Sequence, residues 1–547
     1  MQLLLLLLVA LTITVALIPP LANAAGRLRL LDRPGDRKVH AAPIPRVGGL
    51  AIGAGTLLPL WLMAAQPGEW TAIYAGVAIL LIMGVLDDRY ELAWPWKLGV
   101  QVLACTLAVT AGGVSIESTT LTDRIELPAA LSFGLSFVFL VGVTNAINLS
   151  DGLDGLAGGT TLLAVLAIGW ISFSSGNLPV ASTTAALAGA LLGFLRFNTH
   201  PARVFMGDSG SQVLGFLAGV LAIKATQGAD ITVSAALPLL LLAWPILDTL
   251  TVMTERLRNG RSPFAADRRH FHHRLLSLGF DHYQSVLIIY AVQCGLFLLA
   301  YFLRFESDLV IVAVFVVFAI AVIGLLDGAR LRNWRWASAV REPSEIARHV
   351  RWLREKDRLR RACRALLLVL LAAYAATVVF GAAAVRADIA WLAAALVLAQ
   401  LVVLIAGNRP ASVTLLRFVL FVAAAMLVYL DQRSLGILRP QSLWQVGLFA
   451  SLSLLVMLRF RTSGERRYAF TTLDALVLFV AVIAPIVAAP VDSTLGMGAG
   501  VGIGIFKLVA IGYALEFAFD GWNVARGGAF VTSVMLALVA ARGVLPM

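Results

Sequence analysis

Charged residues are scarce in this sequence, since Asp, Glu, Lys and Arg together make up only 14% of 547 residues. Hydrophobic residues make up 60%, and the mean hydropathy is +0.88. A water-soluble domain of this size needs a charged surface, so the composition excludes one. Apolar stretches of about 17 to 25 residues recur along the chain, and each can cross a hydrocarbon core of roughly 30 Å as a helix. We count about eighteen such stretches, which predicts a chain that lies mostly in lipid.

Cysteine is also scarce, and the three cysteines, Cys105, Cys294 and Cys363, lie far apart. They have neither the spacing of a metal site nor the even number of a disulfide framework. The net charge of +12 does not indicate a nucleic-acid partner, because the Lys and Arg residues occupy short loops between apolar spans. This pattern predicts a protein that binds the lipid bilayer and no nucleic acid.

The first span, from Gln2 to about Ala22, has no basic residue before its Leu run, and positive charge follows it in "RLRLLDRPGDRK". This favours a retained helix with its N-terminus outside and residues 27–38 in the cytoplasm. If the later spans alternate sides, the outer loops are nearly free of clustered Lys and Arg. The inner loops then carry the basic residues, as the positive-inside rule requires.

A basic segment divides the predicted spans into two groups. Residues 327–364 contain twelve Lys or Arg against five Asp or Glu, which places this segment in the cytoplasm as well. We therefore predict an all-α fold, a polytopic transmembrane helical bundle. Residues 1–327 would form a catalytic domain of about 11 helices, including a ninth span over 232–254. Residues 328–364 would be a basic cytoplasmic linker, and 365–547 an additional transmembrane region of about 7 helices.

Carboxylates gather on the predicted cytoplasmic side of the first group of spans. They are Asp87 and Asp88 at the end of the third span, Asp151 and Asp154 after the fifth, Asp208 between the seventh and eighth, and Asp248 near the inner end of the ninth. A single acid at a membrane boundary is usually a helix cap or a dipole partner. Several acids on one face instead favour a functional site, because each is costly near lipid without a partner or a metal.

Two glycine-rich loops adjoin these acids, "NLSDGLDGLAGG" at 148–159 and "FMGDSGS" at 205–211. Glycine permits positive φ and close approach of backbone N–H groups to a ligand. The second loop runs into a helix whose N-terminus favours an anion, so both loops suit a diphosphate. Ordinary helix punctuation is the alternative interpretation.

A cluster of histidine and arginine occurs in "ADRRHFHHRLL", where His270, His272 and His273 lie among Arg268 and its neighbours. This segment lacks the ligand spacing and the carboxylate or thiolate partners of a zinc site. Arg and His are better matched to phosphate oxygens, and "RKVHAAPIPRVGG" at 37–49 supplies further basic groups. Acids together with a phosphate substrate indicate Mg²⁺, for which Mn²⁺ can substitute.

Five segments occur in the order "HAAPIPRVGG", "LDDRYELAWPWKLGVQ", "TNAINLSDGLDGLAGG", "FMGDSGS" and "PILDTLTVMTERLRNGRSPFAADRRHFHH". This ordered set resembles the polyprenyl-phosphate N-acetylhexosamine-1-phosphate transferase family over about the first 325 residues. It is most similar to the bacterial undecaprenyl-phosphate GlcNAc-1-phosphate transferases. The phospho-MurNAc-pentapeptide translocase branch is more distant, because "PIPRVGG" and "HFHH" differ from its motifs, which disfavours a peptide-bearing substrate.

The resemblance also implies a role for each matching residue. Asp208 matches the magnesium ligand with Asn148 close to the metal, and one of Asp87 and Asp88 acts on the lipid phosphate. Asp154 and Phe205 match positions near the uracil, and the histidine loop matches a segment that closes over the sugar and diphosphate. We accordingly assign catalysis to Asp87, Asp88, Asp151 and His272, substrate binding to Asp154, Phe205, Arg268, His270 and His273, and the metal to Asp208 and Asn148.

The implied enzyme is a Mg²⁺-dependent phospho-N-acetylhexosamine transferase, a glycosyl-1-phosphate transferase. It would transfer the sugar phosphate of a UDP-N-acetylhexosamine, with UDP-GlcNAc preferred, to undecaprenyl phosphate and release UMP. This step would initiate a cell-envelope polysaccharide such as O-antigen, from a multi-pass position in the bacterial inner membrane with the active site facing the cytoplasm. A homodimer is compatible with the sequence. A one-step displacement and a route through an aspartyl-phosphate both remain open.

Two other classes of protein compete with this interpretation. A membrane transporter would carry acids near the bilayer midplane and show repeat-like halves, whereas these acids fall at span ends and no repeat relates the halves. For the C-terminal spans, transport stays open. A non-catalytic scaffold is disfavoured because all the acids that the family uses are present.

Overall fold

A computed structural model of the chain describes residues 2–33, 42–64, 67–120, 124–228, 233–260, 262, 269–336, 357–381, 385–407, 410–431, 442–462, 471–494, 501–518 and 522–544. The fold is all-α and polytopic, as predicted, and ten of the described helices are long and apolar enough to cross a membrane. The chain forms two compact units. The first is Met1–Ser338 with Thr471–Leu476, and the second is Ala339–Phe470 with Val477–Met547. Most of the predicted linker at 328–364 lies outside the described residues. The division into a catalytic domain before this linker and an additional transmembrane region after it stays a prediction.

The described part of the first unit contains eleven long helices and two short ones, which agrees with the eleven predicted spans. The helices are α1 Gln2–Leu28, α2 Gly48–Met63, α3 Glu69–Tyr90, α4 Trp94–Thr110, α5 Ala129–Ser150, α6 Leu156–Ser174, α7 Leu178–Asn198, α8 Gly207–Thr226, α9 Pro238–Leu241, α10 Ala243–Arg258, α11 Phe271–Ser277, α12 His282–Leu303 and α13 Asp308–Leu331. Two antiparallel hairpins connect helices. They are β1 Leu31–Asp32 with β2 Ile44–Pro45, and β3 Ser118–Thr120 with β4 Arg124–Glu126.

Helix α8 forms the centre of the first unit. In its most apolar stretch 94% of the residues are buried, whereas in that of α13 only 6% are buried, although both helices are hydrophobic. The helix packs against α2, α3, α5 and α6. Glycines allow this close packing, since a Cβ at Gly215 would lie 2.6 Å from Thr144 Cα of α5. Because Asp208 lies in the first turn of α8, this rigid central helix fixes the position of the predicted metal ligand.

The predicted ninth span is wrong as a single helix, because it breaks at Leu242 into α9 and α10. Pro245 is the physical reason, since it has no N–H to donate to the carbonyl of Leu241 four residues earlier. Gln293 of α12 supplies the missing donor, with its Nε2 2.8 Å from Leu241 O. Asp248, which we placed near the inner end of the ninth span, therefore lies in α10.

The second unit contains seven described helices, the number predicted for residues 365–547. They are α14 Asp357–Gly381, α15 Ala387–Ala406, α16 Pro410–Asp431, α17 Leu443–Thr462, α18 Thr472–Thr494, α19 Val501–Ala518 and α20 Trp522–Val544. Their core is aliphatic and aromatic, with Leu367, Tyr374 and Phe517 among its buried side chains. The first residues of α18, Thr472–Leu476, belong to the first unit.

Candidate active site

Two helices that each carry candidate aspartates, α3 and α8, meet in close contact. Gly84 of α3 lies against the backbone of Ser209, where a Cβ has no room. Gly207, at the first position of α8, has φ +70° and packs against the carboxylate of Asp88. Only glycine combines this backbone conformation with so close a neighbour. The "GDSG" pattern therefore places the acids of α3 beside Asp208.

Asp88 caps the N-terminus of α8. Its Oδ1 accepts the N–H of Asp208 at 2.9 Å, and its Oδ2 accepts from Ser209 N at 3.2 Å and from Ser209 Oγ at 2.8 Å. We expected these helix N-terminal donors to bind a substrate diphosphate. In the structure they bind the Asp88 carboxylate instead, which gives this acid a positioning role that the sequence did not indicate.

Lys97 joins Asp87 to Asp208. Its Nζ lies 2.5 Å from Asp87 Oδ2 and 2.9 Å from Asp208 Oδ2. The backbone N–H of Leu92 donates to Asp87 Oδ1 at 2.8 Å and holds that carboxylate in place. The Asp87 side chain is only 4% exposed, so its charge needs this partner. Our sequence reasoning missed Lys97, because a lysine at the start of a span is ordinarily a membrane-boundary residue.

The two predicted metal ligands lie together, as Asn148 Nδ2 donates to Asp208 Oδ1 at 3.3 Å and to Ser211 Oγ at 2.7 Å. The donors around them are carboxylate and amide oxygens, and the three cysteines are buried. This set fits a hard divalent cation such as Mg²⁺. The ammonium of Lys97 between two carboxylates shows that the site accommodates positive charge.

A cavity of about 990 Å³ contains most of the predicted site. The predicted residues that line it are Asn148, Asp87, Asp88, Asp151, Asp154, Phe205, Asp208 and His273. Asp151 lines this cavity and is surrounded by protein on its other sides. The loss of solvent around its carboxyl, followed by the negative charges of Asp208, Asp154 and Asp88, raises the pKa of Asp151 to about 7. Lys97, Arg46 and Arg203 supply positive charge to the same cavity. Such a cavity can hold a large anionic ligand.

The three histidines of the predicted segment have different surroundings, since His273 lines the cavity whereas His270 and His272 are buried. His270 is buried, with Nδ1 2.9 Å from Asp248 Oδ2, and Asp248 Oδ1 also accepts the N–H of Phe271 at 2.7 Å. These contacts fix the start of α11 away from the lining of the cavity, so substrate binding by His270 stays a prediction. Arg268 lies outside the described residues.

His272 packs its ring against the backbone of Gly152, the residue after Asp151. It is 3% exposed, and its Nε2 has no hydrogen-bond partner among the described residues. Burial, followed by the charge of His273, lowers the pKa of His272 to about 3, so the imidazole is neutral. The structure therefore places His272 behind the cavity wall, and a direct catalytic role for it stays a prediction.

Several other cavity residues were not predicted as site residues. Asp32 of β1 forms an ion pair with Arg46, and this pair ties the first hairpin to the cavity. His200 and His282 also line the cavity. The sequence carries no local signal for His200 and His282 as site residues, because they come from segments far apart in the chain, whereas Arg46 belongs to the basic segment at 37–49 that we matched to phosphate.

The known proteins that this chain resembles match about half of its length. A family model described as glycosyl transferase family 4 matches residues 70–226, which include both α3 and the start of α8. The chain is 35% identical over 285 residues to the probable undecaprenyl-phosphate N-acetylglucosaminyl 1-phosphate transferase of Bacillus subtilis, covering 51% of this chain and 79% of the relative.

Two further relatives have similar coverage. The decaprenyl-phosphate N-acetylglucosaminephosphotransferase of Mycobacterium tuberculosis is 36% identical over 304 residues, covering 50% of this chain and 75% of the relative. The undecaprenyl-phosphate alpha-N-acetylglucosaminyl 1-phosphate transferase of Escherichia coli is 29% identical over 302 residues, covering 54% and 82%. With motif residues on one cavity and relatives matched over most of their length, the chain belongs to the polyprenyl-phosphate N-acetylhexosamine-1-phosphate transferase family.

Proposed function

We propose that this protein transfers N-acetylhexosamine-1-phosphate from a UDP-sugar to undecaprenyl phosphate, with GlcNAc as the sugar. An oxygen of the lipid phosphate forms a bond to the β-phosphorus of the UDP-sugar. The bond from that phosphorus to the bridging oxygen breaks, and UMP leaves with the electron pair. The products are undecaprenyl-diphospho-GlcNAc and UMP. The names of the relatives support both the prenyl-phosphate acceptor and the sugar.

The observation that carries this proposal is the contact of Lys97 with Asp87 and Asp208. It concentrates one cation and two carboxylates in a cavity that also contains further basic residues. Phosphoryl transfer depends mainly on positioning and on electrostatic stabilisation of the transferred group and the leaving group. Lys97 can donate to a phosphate oxygen while the flanking aspartates hold its ammonium in place.

The residues that would hold Mg²⁺ are Asp208 and Asn148, with Asp87 beside them. The ion, which Mn²⁺ can replace, supplies charge neutralisation for the diphosphate when it is bound. The protein residues orient the substrates around it. A second phosphate pKa near ~6 leaves the lipid phosphate largely ionised at neutral pH, so little general-base catalysis is required.

The active site faces the cytoplasm of a bacterial inner membrane in this proposal. The distribution of Lys and Arg among the loops supports this orientation. Among alternatives, a transporter is less compatible with the first unit, because the acids of its cavity lie at helix ends and in loops, and a transport path requires polar groups near the midplane.

A direct test measures UMP release by the purified full-length protein with undecaprenyl phosphate, Mg²⁺ and a panel of UDP-sugars. We expect UDP-GlcNAc to give the highest kcat/KM. Asp208→Asn, which keeps the size of the side chain and removes its charge, should lose nearly all turnover while remaining folded. Mg²⁺-dependent kinetics in Asp208→Asn that match the unmodified protein would reject the metal assignment.

A further inference from the structure

A second cluster of ligand-type side chains lies on the rim of the same cavity, formed by Asp154, His200 and His282. The three residues come from separate elements, since Asp154 precedes α6, His200 follows α7 and His282 begins α12. One ligand atom from each lies within 4.8 Å of the others. The fold therefore brings two imidazoles and one carboxylate from three separate segments close together.

Contacts among its own side chains and with the neighbouring backbone hold the cluster in position. His200 Nδ1 lies 2.7 Å from Asp154 Oδ2, which also accepts the N–H of Ala202 at 3.0 Å. The rings of His200 and His282 stack with centroids 4.2 Å apart, and His282 Nε2 lies 3.4 Å from Asp154 O. The His200 side chain is 45% exposed and that of Asp154 is 19% exposed, so an ion can reach them.

The separations are close to those of a metal site. Tetrahedral zinc with ligand bonds of about 2.0–2.1 Å places its ligand atoms roughly 3.3 Å apart. The three ligand atoms lie within 4.8 Å of one another, so binding an ion would require side-chain rotations that bring them closer together. Two imidazoles and one carboxylate are a common protein ligand set for zinc, and three protein ligands leave a fourth position open.

We propose that Asp154, His200 and His282 form a binding site for a divalent transition-metal ion, with Zn²⁺ as the best match. This site is chemically distinct from the oxygen-rich region around Asp208, because imidazole nitrogen favours zinc over Mg²⁺. Binding at this rim obstructs the part of the cavity to which Asp154 contributes. The expected consequence, which rests on the proposed function, is that Zn²⁺ competes with the UDP-sugar.

The test measures metal binding by the purified full-length protein in detergent, with excess Mg²⁺ present to fill oxygen-rich sites. Isothermal titration with Zn²⁺ should give one ion per chain. Co²⁺ should give the visible absorption of a tetrahedral nitrogen and oxygen site. His200→Asn and His282→Gln should each abolish the Co²⁺ spectrum and lower the Zn²⁺ affinity by at least about 10- to 100-fold.

Two control variants separate this site from other metal ligands. His349→Gln removes a histidine of the predicted basic linker, and Asp208→Asn alters the predicted Mg²⁺ site, so both should keep Zn²⁺ binding. Absence of Zn²⁺ binding in the unmodified protein would overturn the proposal. Binding that is unchanged in both His200→Asn and His282→Gln, or lost in Asp208→Asn alone, would also overturn it.

The kinetic consequence has a separate readout. Zn²⁺ should raise the KM for the UDP-sugar in the unmodified protein and change it much less in His200→Asn, whereas kcat should be unaffected. If the protein has no activity with UDP-sugars, the proposed function fails, but the Co²⁺ spectrum still tests the metal site. If activity is present and the spectrum is absent, only the metal site fails.

Discussion

Lys97 links the end of α3 to the start of α8 through two carboxylates. Its side chain is 30% exposed and faces the cavity, which leaves room for a phosphate oxygen beside the ammonium. Arginine would place a larger planar group in the same space. The sequence identified the acids but could not assign the lysine, because the ion pairs form only when α3, α4 and α8 are packed together.

Lys97→Ala should lower kcat by about 10²–10³-fold, because it removes a positioned donor from the transferred phosphate. The measurement is steady-state UMP release with saturating substrates. Lys224→Ala is a matched control, since Lys224 also forms an ion pair, with Glu69 at 2.9 Å, and does not line the cavity. That control should stay within about twofold of the unmodified protein. Equal losses in both variants would contradict the role of Lys97.

His272 predicts a pH dependence of stability. Its pKa falls from 6.5 to about 3 in the folded protein, so the unfolded chain binds more protons between these values. The contribution of His272 to the free energy of unfolding is fully present above pH 6.5. It decreases by about 1.4 kcal/mol per pH unit as the pH falls from 6.5 towards 3. Denaturant unfolding across this range should show a smaller slope in His272→Gln. An unchanged slope in that variant would show that His272 is not the group responsible.

The candidate acids that line the cavity lie at helix ends and in the loop between α5 and α6. Asp87 and Asp88 lie in the last turn of α3, and Asp208 lies in the first turn of α8. Hydropathy predicted the first span only to about Ala22, whereas α1 extends to Leu28, because polar residues in a terminal turn lower the apolar signal. The cap formed by Asp88 was not predictable, since it joins residues 120 positions apart.

The second unit contains a buried charged network between helices α16, α17 and α19. Lys507 Nζ lies 2.5 Å from Asp431 Oδ2 and also donates to Gln445 Oε1, and Gln445 Nε2 donates to Asp431 Oδ1 at 2.6 Å. Asp431 is 0% exposed and Lys507 is 3% exposed. The structure therefore gives the Asp431 carboxylate two specific partners, an ammonium and an amide.

Lys507→Met should destabilise the second unit by about 3–5 kcal/mol, because it leaves the Asp431 carboxylate buried without a cation. Adding Asp431→Asn to that variant should recover part of the loss, since it removes the unpaired charge. SDS-induced unfolding of the purified protein measures both. Asp388→Asn is the control, because its pair with Arg386 is exposed and should contribute at most about 1 kcal/mol. A double variant that is no more stable than Lys507→Met would contradict this explanation.

For the whole molecule, the sequence predicted eleven helices followed by seven, and the described residues contain both sets. Long apolar runs predict the number of helices directly, because in lipid each span must form its backbone hydrogen bonds within itself, as a helix does. The break at Leu242 and the positions of Lys97, His200 and His282 depend on packing between distant segments. These features could not be derived from local sequence patterns.

A protein that ends at Arg335 should keep Mg²⁺-dependent transferase activity. The proposed catalytic, substrate-binding and metal residues all lie before that position, and the family match covers residues 70–226. Activity should be compared with that of the full-length protein at equal folded concentration. If the shortened protein is folded and binds the UDP-sugar but cannot turn it over, the division into catalytic and accessory parts is wrong.

The fate of the β-phosphate of UDP-GlcNAc distinguishes transfer of the sugar phosphate from transfer of the sugar alone. The purified protein is given undecaprenyl phosphate, Mg²⁺ and UDP-GlcNAc labelled with radioactive phosphorus at that position. The label should enter the lipid fraction in equal amount to the UMP released, and Asp208→Asn should transfer almost none. Release of labelled UDP, with unlabelled sugar on the lipid, would show cleavage on the sugar side of the β-phosphate and would contradict the account.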